Sequence, residues 1–265
     1  MDVAAHTTAV WSLIRPQAAL RCGRLLGHID VVRPDLGFGN ILLDGAEISG
    51  NLLSVRRVDS SAAPRSWPRV ETSSWPLPVS DTYVRGADLV AAYQPSDDWP
   101  FSPQIYWRAG ALSSVDGLLA SFSLLVSVQT HLLDTWPRIS VSSRLPTDET
   151  LQVTTDRGHG ASCHPLHDGQ ELSPSTDACC ILRRLTSIPV SYVEFMPASD
   201  FCVATVRGDE EVGPQVKWEL FAEFLEKGVI RRARLETAFV PRAYDVELAA
   251  ACCEAIERCA LPLTT

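Results

Sequence analysis

The sequence predicts an α+β fold, predominantly antiparallel β-structure with one C-terminal helix. Short stretches rich in apolar and β-branched residues follow one another along most of the chain, with turn-forming residues between them. The strand–helix–strand alternation that a parallel sheet requires is missing. The last periodic segment, residues 243–260, has helical spacing instead. We therefore expect one large sheet, or two packed sheets, within a single compact domain over residues 1–265.

Strand candidates begin after residue 24 and are interrupted by two long loops. Asp44-Gly45 lies between two apolar runs and indicates a hairpin. Residues 60–80 hold several prolines among serines and threonines, which predicts an irregular surface segment. Residues 159–177 are expected to form the second loop. The strand candidates around these loops have short connections, which favour antiparallel pairing.

Two segments show the spacing of helices. Asp245 is a suitable N-cap for a helix over residues 243–260, and Pro262 would end it. Residues 217–227 also have apolar side chains at helical spacing. Read with a period of two, the same residues would form a strand. We prefer the helix for this segment, and the strand is the alternative.

An internal duplication is an alternative that the sequence leaves open. Residues 88–104 and 200–215 each begin with Asp, continue with a short apolar run and end at Gln. Self-similarity of this kind is the usual sign of repeated units. If it is genuine, the related halves would lie at about residues 24–155 and 178–262.

Composition argues against several classes of protein. The formal net charge of −9 and the isoelectric point of 5.1 disfavour nucleic-acid binding, which relies on cationic contacts to phosphate. The start of the chain lacks a signal peptide, and no apolar run is long enough to predict a membrane span. The spacing of the eight cysteines does not suggest disulfides. We therefore expect a soluble cytoplasmic protein whose partner is a small molecule or another protein.

Residues 159–168 concentrate side chains that bind metals. His159, Cys163, His164 and His167 could close a tetrahedron around zinc, which prefers imidazole and thiolate ligands. Their spacing matches no standard zinc site, and the adjacent Cys163 and His164 would have to face one ion. A polar surface loop is the alternative, and no other cofactor is expected.

Aromatic residues suggest a second kind of site. Four of the seven tryptophans precede proline, which places them in extended loops or at strand ends. Trp99, Tyr106, Trp107 and Arg108 could form a stacking surface for a sugar or another flat ligand. The alternative is that the rings close the ends of the β-core, since large aromatic side chains are mostly buried.

Motifs of known catalytic or cofactor sites are absent from the sequence. It contains neither a nucleophile elbow nor a phosphate-binding loop, and catalytic residues are not predicted. A non-enzymatic binding or interaction domain is therefore the preferred function. The alternatives are a hydrolase-type enzyme whose site is assembled only in three dimensions, and a metal-binding protein that uses residues 159–167.

Overall fold

The computed structural model describes residues 10–58, 75, 77–112, 114–133, 135–156, 160–174, 179–208, 213–221 and 223–258. In these ranges the strands are β1 (Val10–Ile14), β2 (Gln17–Cys22), β3 (Leu25–Asp30), β4 (Gly39–Leu43), β5 (Ala46–Ile48), β6 (Asn51–Arg57), β7 (Val79–Arg85), β8 (Asp88–Tyr93), β9 (Phe101–Ala109), β10 (Ala120–Thr130), β11 (Ile139–Arg144), β12 (Thr147–Asp156), β13 (Gly160–Pro165), β14 (Glu171–Leu172), β15 (Cys179–Leu185), β16 (Val190–Met196), β17 (Val203–Arg207), β18 (Gln215–Leu220) and β19 (Ile230–Pro241). The helices are two short 3-10 turns, Pro34–Leu36 and Arg242–Tyr244, and α1 (Asp245–Arg258).

The described strands pair into three antiparallel sheets. The N-terminal sheet is a meander with the order β1-β2-β3-β4-β5. The large sheet has nine strands in the order β13-β12-β15-β16-β19-β10-β9-β8-β7. The facing sheet has the order β14-β17-β18-β11-β6. With α1 at the C-terminal end of the described chain, this arrangement confirms the prediction of a mainly antiparallel α+β fold with a C-terminal helix.

One face of the large sheet packs against the other two sheets. Phe122 on β10 contacts two aromatic rings of the N-terminal segment, Trp11 at 6.2 Å and Phe38 at 4.7 Å between ring centroids. Trp218 on the facing sheet donates its indole N–H to Glu194 on β16 at 2.7 Å. The buried side chains between these layers form the main core. The molecule is therefore a β-sandwich with the large sheet as its common layer.

Helix α1 covers part of the opposite, outer face of the large sheet. Apolar side chains on this face, among them Leu182, Val193 and Ala238, form a second core with Cys252 and Ile256 of α1. The helix packs over β12, β13, β15, β16 and β19. Strands β10, β9, β8 and β7 continue the sheet beyond β19. The outer face is therefore apolar beneath α1.

The preferred helix over residues 217–227 is wrong, because residues 215–220 form strand β18. Val216, Trp218 and Leu220 alternate into the core, and the strand is hydrogen-bonded to β11 and β17 on its two sides. Phe221, with a φ of 59°, lies directly after the strand. Apolar burial at every second residue therefore outweighs the local helical spacing.

The two predicted loops differ from expectation. In the segment 60–80, residues 60–74 and 76 lie outside the described residues, whereas Trp75 and Leu77 are buried and β7 begins at Val79. The segment 159–177 contains β13 and the short strand β14. In the first segment Trp75 and Leu77 are buried and β7 pairs with the next strand, β8; in the second, β13 pairs with the preceding strand, β12, and β14 pairs with β17. Burial and strand pairing therefore order segments whose local composition favours turns.

The two segments proposed as duplicated lie in different sheets. Residues 88–104 contain β8 and the start of β9 in the large sheet, whereas residues 200–215 contain β17 and the start of β18 in the facing sheet. Each pair of strands is antiparallel. The duplication, and the halves built on it, stay a prediction. Within the described ranges, the chain has no helix with the length and apolar character needed to cross a membrane.

Candidate functional site

From the side of α1 to the edge strand β7, the outer face of the large sheet carries rows of side chains that cross five strands. Directly paired residues in neighbouring strands project to the same face, so the register defines each row. From β19 to β7 the first row is Glu236, Ser123, Arg108, Asp88 and Arg85. The middle row is Arg234, Leu125, Tyr106, Val90 and Tyr83. The third row is Arg232, Ser127, Gln104, Ala92 and Asp81. We call these three rows the polar face.

Glu236 is a buried acid in the first row of the polar face, with 5% of its surface exposed. Its Oε1 lies 3.6 Å from Nε of Arg234. Oε2 accepts no hydrogen bond from the residues that the structure describes. Burial raises the pKa of Glu236 to about 7, although Arg234, Arg108 and a hydrogen bond with Ser123 oppose the rise. A carboxyl with this pKa can accept or donate a proton near neutral pH.

Arg108 and Asp88 form a two-pronged ion pair in the first row. Arg108 donates from Nε to Oδ1 of Asp88 at 2.6 Å and from Nη2 to Oδ2 at 2.8 Å. This hydrogen bonding raises the pKa of Arg108. Asp88 is buried, and Nη2 of Arg85 lies 4.0 Å from its Oδ2. The two hydrogen bonds therefore fix the plane of the Arg108 guanidinium. The positive charge of Arg108 favours the ionised form of Glu236 in the same row.

Arg234 links the site to α1 and to the loop after β16. Its guanidinium Nη2 donates to the carbonyl of Ile256, in the last turns of α1, at 3.4 Å. Its main-chain N–H donates to Oδ2 of Asp200 at 2.8 Å, beyond the point where β16 stops pairing with β19. Both contacts hold the part of β19 that carries Arg234 and Glu236. The site is consequently anchored by the helix end and the loop, as well as by the sheet.

The middle row supplies aromatic surface beside the charged row. Tyr106 is half-buried and donates its hydroxyl proton to Oε1 of Gln104 at 2.8 Å. Loss of hydration raises the pKa of Tyr106. Tyr83, on the edge strand β7, is exposed at 39% of its surface. The polar face thus combines hydrogen-bonding groups, a carboxyl that titrates near neutral pH and aromatic rings.

Two of the four predicted ligand-binding residues lie on the polar face. Tyr106 and Arg108 project outward, two residues apart on β9. Trp107, between them, projects to the opposite face and is buried in the sandwich core. Trp99 is also buried, against Trp75 at 6.1 Å between ring centroids. The four residues therefore do not form one surface, and ligand binding by Tyr106 and Arg108 stays a prediction.

The position of Trp99 leads to a stability prediction. Trp99→Ala should lower the free energy of unfolding by about 3–5 kcal/mol, because it empties a large buried volume. Urea denaturation of the wild type and the variant measures this loss. Trp136→Ala is the matched control, since Trp136 is 51% exposed and should cost far less. Equal losses in the two variants would contradict the burial of Trp99.

Strand β13 separates two of the predicted zinc ligands. Cys163 and His164 are consecutive residues of this strand, paired with Val153 and Gln152, so their side chains project to opposite faces. His167 lies beyond the end of the strand, and His159 lies outside the described residues. No group of three or more His, Cys, Asp or Glu side chains in the described ranges is arranged to hold a metal ion.

Sequence reasoning missed Glu236, although Tyr106 and Arg108 of the same face were among the predicted site residues. Arg232, Arg234 and Glu236 occupy every second position of β19, and the register places them on one face. A charged residue at alternate positions in an apolar strand is the signal that would have identified this face. The partners of Glu236 on β10 and β9 are far away in sequence, so only the folded sheet brings them together.

Comparison with known proteins identifies the fold. No family model and no curated protein matches the sequence. Among solved structures, the chain is similar to a putative aldose 1-epimerase from Escherichia coli K12, with a TM-score of 0.56 and 6% identity over 83% of this chain and 97% of that one. A putative aldose 1-epimerase from Klebsiella pneumoniae subsp. pneumoniae gives a TM-score of 0.55 and 9% identity, over 91% of this chain and 83% of that one. The chain shares their fold.

This similarity corrects the functional prediction made from the sequence. A non-enzymatic binding or interaction domain was preferred because catalytic motifs are missing, and that preference is wrong. The two proteins that share the fold are named for an enzymatic activity on sugars. Neither is named as a hydrolase or a metal-binding protein, which were the alternatives. The polar face itself is assembled from five separate strands, so a short sequence motif does not contain it.

Proposed function

We propose that this chain is a carbohydrate-active enzyme that interconverts the α and β anomers of an aldose on the polar face. The observation that carries the proposal is the buried carboxyl of Glu236, whose pKa is raised to about 7 beside two arginines. A group with this pKa is suited to moving protons at neutral pH. The fold shared with the two epimerase-like structures supports the same reaction class.

The chemistry requires one proton to leave the sugar and one to arrive. The carboxylate of Glu236 takes the proton of the C1 hydroxyl, a C1=O bond forms, and the bond between C1 and the ring oxygen breaks. The ring oxygen takes a proton from an acid in the site, for which the hydroxyl of Tyr106 is the proposed source. Rotation about C1–C2 and the reverse steps then give the other anomer, and both groups return to their starting protonation states.

The other charged residues of the first row have binding and electrostatic roles in this proposal. Arg108, held in its plane by Asp88, donates hydrogen bonds to sugar hydroxyls and stabilises negative charge on oxygen as the ring opens. Arg234 keeps part of the Glu236 population ionised, since its charge opposes the effect of burial. Tyr106 offers its ring to the apolar face of the sugar.

A pH–rate profile tests the role of Glu236. The rate of anomer exchange should rise as pH increases from 5 to 8, with a midpoint near 7, because the reaction needs the carboxylate. NMR exchange between the H1 signals of the two anomers of glucose, galactose and xylose measures the rate after subtraction of the uncatalysed background. A midpoint near 4.3, the ordinary pKa of an exposed glutamate, would assign the titration to another group. Failure to accelerate exchange for any aldose of a broad panel would overturn the proposal.

A further inference from the structure

The middle row of the polar face runs beside the row of Glu236 and extends to the edge strand β7. Leu125, Tyr106, Val90 and Tyr83 follow one another across β10, β9, β8 and β7. Leu125 and Val90 are buried beneath their neighbours, Tyr106 is half-buried and Tyr83 is exposed. This row forms an apolar and aromatic stripe that reaches the edge of the sheet.

The stripe is too long for one sugar unit. From β10 to β7 there are three strand spacings, about 14 Å in all. A six-membered ring made of bonds of about 1.5 Å spans only about 5 Å with its hydroxyls. One ring placed near Glu236 would therefore not reach Tyr83 on β7, which is 39% exposed at the far end of the stripe.

Hydrogen-bonding groups border the stripe on both sides. The first row places Arg108, Asp88 and Arg85 along one side. The third row places Gln104 and Asp81 along the other side. An apolar strip between two polar rows complements the structure of a linear sugar chain, whose ring faces are apolar and whose hydroxyls lie at the ring edges.

We propose that the polar face binds a linear oligosaccharide, with its reducing-end unit at Glu236 and Tyr106 and the following units extending over β8 to Tyr83. This inference rests on the proposed function and adds the substrate class to it. Tyr83 is then a specificity-determining residue, which contacts a sugar unit distant from the reacting carbon. It contributes to the binding of longer sugars and leaves monosaccharides unaffected.

Isothermal titration calorimetry on the full-length protein tests this inference. The probes are glucose and galactose, beside the linear trisaccharides maltotriose, cellotriose and β-1,4-galactotriose. At least one trisaccharide should bind about tenfold or more tightly than its monosaccharide, and Tyr83→Ala should remove that gain. The matched control is Val84→Ala, because Val84 has the same 39% exposure but projects to the opposite face of β7.

The outcomes separate this inference from the proposed function. Loss of trisaccharide affinity in Tyr83→Ala alone, with monosaccharide affinity and anomer exchange unchanged, supports an extended subsite. Equal affinities for mono- and trisaccharides in the wild type overturn the subsite, whereas catalysed exchange of monosaccharides would still support the proposed function. Equal weakening of both sugars by Tyr83→Ala would place Tyr83 in the monosaccharide site and also overturn the extension.

Discussion

Replacing Glu236 with glutamine should lower the rate of anomer exchange by roughly 10²–10⁴-fold, because the amide cannot take the proton of the C1 hydroxyl. The substitution keeps the size of the side chain, so the packing beside Arg234 and Ser123 should be preserved. NMR exchange spectroscopy at pH 8, where Glu236 is ionised in the wild type, measures the loss. The dependence of the remaining rate on pH should disappear with the carboxyl.

The same variant should change how stability depends on pH. Burial raises the pKa of Glu236 from 4.5 to about 7, so ionisation is less favourable in the folded state than in the unfolded chain. The contribution of Glu236 to the free energy of unfolding is fully present below pH 4.5 and is lost as pH rises through about 7. Glu236→Gln removes that loss. At pH 8 the variant should be more stable than the wild type, by up to ~3 kcal/mol, and at pH 4 the two should be alike.

Glu257→Gln is the matched control for both measurements. It makes the same chemical change at Glu257, which is exposed on α1. It should leave the exchange rate and the pH dependence of stability unaltered. If Glu236→Gln retained the wild-type rate, Glu236 would not be the base. If its unfolding curves followed the wild type at both pH values, the carboxyl would not be buried as described.

Replacing Arg183 with methionine should lower the free energy of unfolding by about 3–5 kcal/mol. Arg183 is fully buried between the large sheet and the facing sheet. Its guanidinium donates to the carbonyls of Ser143 at 3.0 Å and Leu145 at 3.1 Å. The buried Glu194 lies close enough for its charge to favour protonated Arg183, whereas burial lowers the pKa of Arg183. Methionine fills similar space but leaves the carbonyls and Glu194 without this cation.

Urea denaturation at pH 7 measures the effect of Arg183→Met. Arg258→Met is the control, because the side chain of Arg258 is 76% exposed and pairs across one turn of α1 with Glu254. A double variant, Arg183→Met with Glu194→Gln, should recover part of the loss, since it removes the uncompensated charge. A loss no larger than that of the control would mean that Arg183 contributes little to the sandwich.

The protonation of Glu194 also reflects its burial. Desolvation raises the pKa of Glu194, and the charge of Arg183 together with hydrogen bonds from Trp218 and Ser143 limits the rise. The carboxyl lies on the inner face of β16, inside the sandwich, whereas Glu236 lies on the outer face of β19. Burial alone therefore does not identify a catalytic carboxyl. The role proposed for Glu236 also rests on its place in the first row of the polar face, beside Ser123 and Arg108.

Much of the fold was predictable from local patterns. Alternating apolar residues with turn signals between them predicted antiparallel strands, and the Asp44-Gly45 pair forms the turn of the hairpin between β4 and β5. Both turn residues have positive φ, 52° and 80°, which Asp and Gly tolerate better than most residues. The C-terminal helix followed from its spacing, and it begins at Asp245. The predictions of antiparallel strands and of the C-terminal helix succeed because burial of one face imposes its own period on the sequence.

The sequence by itself determined the fold class, the C-terminal helix and the acidic net charge, since these depend on composition and local spacing. Only the tertiary structure decided that residues 215–220 are a strand and that Trp99 and Trp107 belong to the core. It also decided the site. Glu236 meets Ser123 and Arg108 through pairing between strands that are distant in sequence, and the register of those strands sets which side chains share a face. Register depends on the packing of the whole sandwich, so short motifs do not contain it.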